Sequence, residues 1–260
     1  MLTATNRHTE AEPLYRRALA IDEKSFGADH PNVARGLNNL ARLLEDTDRR
    51  ADAEPLYRRA LAIDEKSFGP DHPNVAIRLN SLIGLLTAAN RLGEAEPFCR
   101  RALAIREKRL GPDHPIVATG LNDLAELLIE TNRHTEAEPL CRRALAILEK
   151  SFGPDYPDVA ICLSNLAALL TATNRHTEAE PFSRRALAIL EKRFGPDHPT
   201  VARGLNNLVQ LLHETYRLPA MHSTPQRRER ARRHAHPVAF STPIQALGSL
   251  VALLQCAKAS

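Results

Sequence analysis

A repeat of 42 residues governs what this chain can become. Glu-Pro recurs at Glu12-Pro13, Glu54-Pro55, Glu96-Pro97, Glu138-Pro139 and Glu180-Pro181. Arg-Arg-Ala-Leu-Ala-Ile restarts in the same register at Arg16, Arg58, Arg100, Arg142 and Arg184, and Gly27, Gly69, Gly111, Gly153 and Gly195 close each segment. Self-similarity at one fixed period marks architectures in which a single supersecondary unit cannot bury its own apolar face, so that neighbours must stack.

Each unit reads as two helices. The spacing of Val75, Leu79, Leu82, Leu85 and Leu86 is that of one helical face and predicts a first helix from about Pro73 to Ala89. Pro73 suits the first position, where a backbone N–H has no helical partner. Asp48, Asn90, Asn132 and Asn174 share the slot at its end, and these residue types tolerate left-handed backbone. A second helix is expected from about Thr135 to Ser151, with Pro139 in its first turn and Thr135 with Glu138 as a capping box, repeated at Thr9/Glu12 and Thr177/Glu180. Glu138 and Arg142 are spaced i, i+4 with the acid leading, as in every other copy, and this order supports a helix. Ala18, Ala60, Ala102, Ala144 and Ala186 keep one position small, as close helix approach requires.

With these residues in view, the chain resembles the tetratricopeptide repeat family. Leu79-x-x-Leu82 in the first helix and Ala95 with Ala102-Leu103 in the second carry the resemblance. The 42-residue period, Leu37-Asn38-Asn39-Leu40-Ala41 and Gly69-Pro70-Asp71-His72-Pro73 are similar to the kinesin light chain subtype. The resemblance spans about residues 2–216 and implies an all-α, right-handed superhelical solenoid of helix pairs. The expected organisation is an orphan second helix over 7–26, pairs over 31–68, 73–110, 115–152 and 157–194, and an orphan first helix over 199–216. Leu2 to Glu12 repeats Leu170 to Glu180 residue for residue, so the chain begins inside a first helix.

The resemblance also implies binding of extended peptides along a concave wall made of first helices. Asn38, Asn80, Asn122 and Asn206 share one register there, with Ser164 as the exception. An amide offers donor and acceptor together, which suits clamping a peptide backbone; alternatively these amides bond only to neighbouring helices. Arg35, Arg42, Glu126 and Arg203 flank the ladder and are expected to set selectivity. Arg35 and Arg42 make the first unit basic, whereas Asp123, Glu126 and Glu130 make the third acidic.

Other motifs point to structure. The repeated Arg16/Arg17 pairs read as a solvated face matched to Glu. His30, His72, His114 and His198 precede Pro in successive loops, at least one helix spacing apart (about 8–10 Å). A zinc ion needs its ligand nitrogens about 2 Å away, so these His are read as loop caps and no metal is expected. Cys99 and Cys141 occupy a slot that also takes Tyr15, Tyr57 and Ser183, which is a packing position. Phosphate-binding Gly-rich loops, nucleophile elbows and His-Glu-x-x-His motifs are missing, so no catalytic residue or cofactor is expected.

Charge is unevenly placed. Residues 217–260 hold seven basic residues against Glu229, a net +6, and the remainder is −2. A basic, disordered linker is expected over 217–241. Nucleic acid is an expected partner only if the Arg-rich stretch 226–236 touches it by charge. Over 242–260, Ile244, Leu247, Val251 and Leu254 share a helical face that suits a capping helix; the rival is that 217–260 is an extension read out of frame or otherwise recently acquired. No stretch approaches the ~20 apolar residues of a membrane span, and the N-terminus lacks an apolar signal core, so a reduced, cytoplasmic protein is expected. The function expected is a scaffold for other proteins or peptides. The alternatives are an array that self-associates through uncapped ends, and the repeat fragment of a larger signalling protein.

Overall fold

The structure is a computed structural model that describes residues 2–222. These form ten helices and no strand: α1 (Leu2–Phe26), α2 (Pro31–Asp46), α3 (Arg50–Phe68), α4 (Pro73–Ala88), α5 (Leu92–Leu110), α6 (Pro115–Glu130), α7 (His134–Phe152), α8 (Pro157–Ala172), α9 (His176–Phe194) and α10 (Pro199–His222). None is long and apolar enough to cross a membrane. The chain divides into two compact units, Met1–Leu212 and His213–Ser260. The first holds the helix pairs, and of the second the end of α10 is described. The expected capping helix over 242–260 and the Arg-rich stretch 226–236 lie outside the described residues.

Within the first unit, α2 packs on α3, α4 on α5, α6 on α7 and α8 on α9, and α1, α3, α5 and α7 also pack on the next first helix. Val33, Leu37, Leu40 and Leu44 of α2 are at most 1% exposed, as are their counterparts Val75, Leu79, Leu82 and Leu86 of α4. One continuous core therefore runs through the stack, and no pair owns a core of its own.

The loops follow local chemistry. At the first-helix ends Asp48, Asn90, Asn132 and Asn174 all hold φ between 57 and 61°, and Gly69 ends α3 at φ 87°, where a β-carbon would be strained. His30, His72, His114 and His198 cap α2, α4, α6 and α10: each Nδ1 accepts the backbone N–H two residues on, at 3.2 Å. Phe26, Phe68 and Phe194 stack on the adjacent His, and Phe152 stacks on Tyr156, which takes the His place.

Three sequence expectations are corrected. The capping boxes expected at Thr135 and Thr177 do not form: α7 starts at His134 after Arg133 and α9 at His176 after Arg175, neither with a side-chain cap. Glu138 instead binds Arg142 at 2.7 Å and, across the stack, Arg175 at 2.6 Å. Because α7 starts early, Pro139 stands beyond the first turn. Second, α1 is one helix from Leu2, although the same residues at 170–180 turn at Asn174. Asn permits a left-handed turn but does not impose it; at Asn174 a first helix packed against its partner does. Third, α10 continues to His222 rather than ending at 216, so the first residues of the expected linker are helical. Tyr216 occupies the slot that Asn fills elsewhere, and Tyr has no comparable tolerance of the left-handed turn.

Candidate functional site

First helices approach one another directly, α2 to α4 and α6 to α8, more closely than any two second helices do. A stripe of solvent-facing side chains follows on each: Arg35 and Arg42 on α2; Ile77, Asn80, Gly84 and Ala88 on α4; Thr119, Asp123, Glu126 and Glu130 on α6; Ile161, Ala168 and Ala172 on α8; Arg203 and Asn206 on α10. Ile77 and Ile161 are 56% and 51% exposed, in the same register as the terminal Arg35 and Arg203.

One part of this wall is hollow. A cleft of about 540 Å³ is lined by Asn80, Gly84, Ala88 and Cys99 on one side and by Asp123, Glu126 and Glu130 on the other. Its origin lies in small residues. Tyr57 fills the corresponding slot of the first pair and donates to Glu45 at 3.0 Å. Cys99 stands in that slot one unit on, and Gly84 and Ala88 replace Arg42 and Asp46. Sequence alone placed Cys99 correctly as a packing residue. It missed the space opened when Tyr is exchanged for Cys, because the consequence appears only once both helices are placed.

The acidic side of the cleft is poorly neutralised. Although both side chains reach solvent, partial desolvation by the walls of the cleft pushes the Asp123 carboxyl up from its ordinary value, opposed by Arg106. The same desolvation pushes Glu126 up, reinforced by Glu130 and Asp123. Burial likewise raises the Cys99 and Cys141 thiols to about 11, which leaves them protonated and poor nucleophiles at neutral pH.

The Asn ladder divides. Asn80 and Asn206 are exposed on the wall. Asn122 is 9% exposed, and its Oδ1 accepts from Nδ2 of Asn165 on the next first helix at 3.1 Å. Asn38 is half-buried and its Oδ1 has no hydrogen-bond partner. The residue that would reach it by the same stagger is Ser81, whose hydroxyl donates to the Ile77 carbonyl instead. The same register thus supplies helix-to-helix struts at one level and free amides at others. No group of His, Cys, Asp and Glu among the described residues is arranged to hold a metal ion.

The comparisons bear on this arrangement. The Tetratricopeptide repeat description matches residues 1–66, 77–149, 117–192 and 165–218. The chain belongs to the tetratricopeptide repeat family. No curated protein matches it. Among solved structures, a kinesin light chain-like protein of Podosopora anserina with nearly identical TPR-like repeats aligns over 74% of this chain and 90% of its own, with 24% identity and a TM-score of 0.65. BtubC (BKLC) from P. vanneervenii aligns over 92% of this chain and 96% of its own, with 22% identity and a TM-score of 0.68. These likenesses establish the fold. Its tetratricopeptide repeats make the chain a protein-interaction scaffold in the general sense of the family.

Proposed function

We propose that this tetratricopeptide solenoid binds an extended peptide along the inner wall of its first helices. The observation that carries the reading is the cleft between α4 and α6, an open cavity flanked by the unpaired amide of Asn80 on a wall otherwise built for stacking. Asn80 and Asn206 hold the ligand backbone. Arg35, Arg42 and Arg203 engage it toward the ends of the groove, and Glu126 with Asp123 receives a basic side chain in the cleft. Asn122 acts through the strut to Asn165, which fixes the spacing of α6 and α8.

A peptide array probed with the full chain and with Asn80→Ala/Asn206→Ala tests this reading, with helicity checked by circular dichroism. Selective loss of binding by the variant is the expected result, and Glu126→Lys should shift the preferred peptides away from Lys and Arg. Unchanged binding by both variants would move the ligand off this wall.

A further inference from the structure

We propose that copies of this chain stack head to tail, the α1 end of one molecule docking on the α10 end of another. The inference is independent of the peptide groove and rests on what the interior of the stack uses and its two ends leave unused.

Inside the stack, successive second helices are joined by repeating ion pairs. Arg59 reaches Glu23 of the preceding unit at 2.8 Å, Arg143 reaches Glu107 at 2.7 Å and Arg185 reaches Glu149 at 2.6 Å, and Arg101 pairs with Glu65 in the same way. A parallel ladder joins Lys108 to Asp71, Lys150 to Asp113 and Lys192 to Asp155, and Lys66 pairs with Asp29 likewise. By the same register the α9 end presents Glu191 and Asp197, the acidic halves of one further rung of each ladder. The α1 end presents Arg17 and Lys24, the basic halves. Among the described residues none of these four side chains has an ion-pair partner, whereas every equivalent charge within the stack is paired.

The apolar faces match in the same sense. Helix α1 is a second helix that packs on α2, and among the described residues no first helix precedes it. Its Ile21 is 55% exposed, whereas Ile63, Ile105, Ile147 and Ile189 in the same register are at most 4% exposed. Leu14 beside it is 66% exposed and Ala18 is exposed, although its counterpart Ala60 is fully buried. Helix α10 is a first helix, and its Val209 is 37% exposed where Ala41, Ala125 and Ala167 are buried. Ala202 is exposed where Ala34, Ala118 and Ala160 are buried. Among the described residues, no first helix precedes α1 and no second helix follows α10. Docking α1 of a second copy against α10 completes a pair of the kind already repeated through the molecule, with Arg17 meeting Glu191 and Lys24 meeting Asp197. Such an interface joins two different surfaces, so each added copy leaves a free end for the next unless the rotation closes a ring.

Sedimentation velocity on the full chain over a wide concentration range provides the test. Wild type is expected to show a sedimentation coefficient that rises with concentration and falls back in high salt, because exposed charges are screened. Ile21→Asp blocks the α1 end and Val209→Asp the α10 end. Both sites are solvent-facing, so each variant should remain helical, and each alone should stay at the 28.8 kDa of one chain. Their equimolar mixture retains one intact pair of ends and should form a species of two chains and nothing larger. A mixture that stays monomeric, a single variant that still assembles, or a wild type that is monomeric throughout would overturn the proposal. The last outcome would mean that another segment covers these faces.

Discussion

Asp64 and Arg78 show how residue-level choices are coupled between neighbouring helices. Asp64 is 1% exposed, and its carboxylate accepts from Arg78 Nε at 2.8 Å. In the other units the same two slots hold Asp22 with Gly36, Arg106 with Gly120, Leu148 with Cys162 and Leu190 with Gly204. A β-carbon at Gly120 would sit 2.7 Å from the Arg106 guanidinium, which would have to move aside, whereas one at Gly204 would meet Leu190 at an ordinary 3.5 Å, as Cys162 beside Leu148 illustrates. Arg78→Ala should cost about 3–5 kcal/mol, because a buried carboxylate is left without its cation. Combining Asp64→Leu with Arg78→Gly, the solution used at Leu190 and Gly204, should recover most of that loss in chemical denaturation. Asn38 gives the converse case. Ser81→Asn would offer its unpaired Oδ1 the donor that Asn165 gives Asn122, and should raise stability by about 1 kcal/mol. Periodicity made each of these slots legible as a register. It could not show which slots touch, since that depends on the stagger between successive first helices.

At the level of elements, helix existence followed from apolar spacing and the helix ends followed from loop chemistry, but capping roles did not. Thr135 and Glu138 carry the spacing of a capping box, yet Glu138 is drawn away by Arg142 and Arg175. The stack competes for the same carboxylate with two guanidinium groups, and charge-assisted bonds outmatch one backbone N–H. Residue identity at the turn slot matters just as much. Tyr216 lets α10 run to His222, so Tyr216→Asn should end the helix near 215, as at Asn90, Asn132 and Asn174. Amide hydrogen exchange at residues 217–222 would report this as faster exchange in the variant. Protection unchanged from wild type would show that another feature sets the length of α10.

For the whole molecule, stability is the sum of units and of the ladders between them, and the two sets of carboxylates respond oppositely to acid. Glu54 and Glu138 lie below the ordinary glutamate value of 4.5, chiefly because Arg91 and Arg175 bind their charged forms, and Arg16 has the same effect on Glu12. Their stabilisation is complete above the unfolded value and is lost as pH falls through the depressed folded values. Asp123 and Glu126 are raised, so the folded state takes up their protons first and they add stability as pH falls through the raised values. Thermal melts should therefore hold up through mildly acidic pH and collapse once the Glu–Arg ladder protonates. Binding of a basic peptide should weaken earlier, as the walls of the cleft lose charge. The general fold was legible because five near-copies repeat one pattern; the cleft was not, since it is made by deviations from that pattern at Gly84, Ala88 and Cys99.

Site-specific photo-crosslinking tests the peptide groove most directly. A photoreactive residue placed at Ala88, in the cleft lined by the first helices, and separately at Arg100 on the exposed face of α5, is irradiated with a bound peptide selected from the array. Crosslinking at position 88 with none at position 100 is the predicted result. Crosslinking at position 100 alone would place the ligand on the second helices and contradict a recognition surface built from the first.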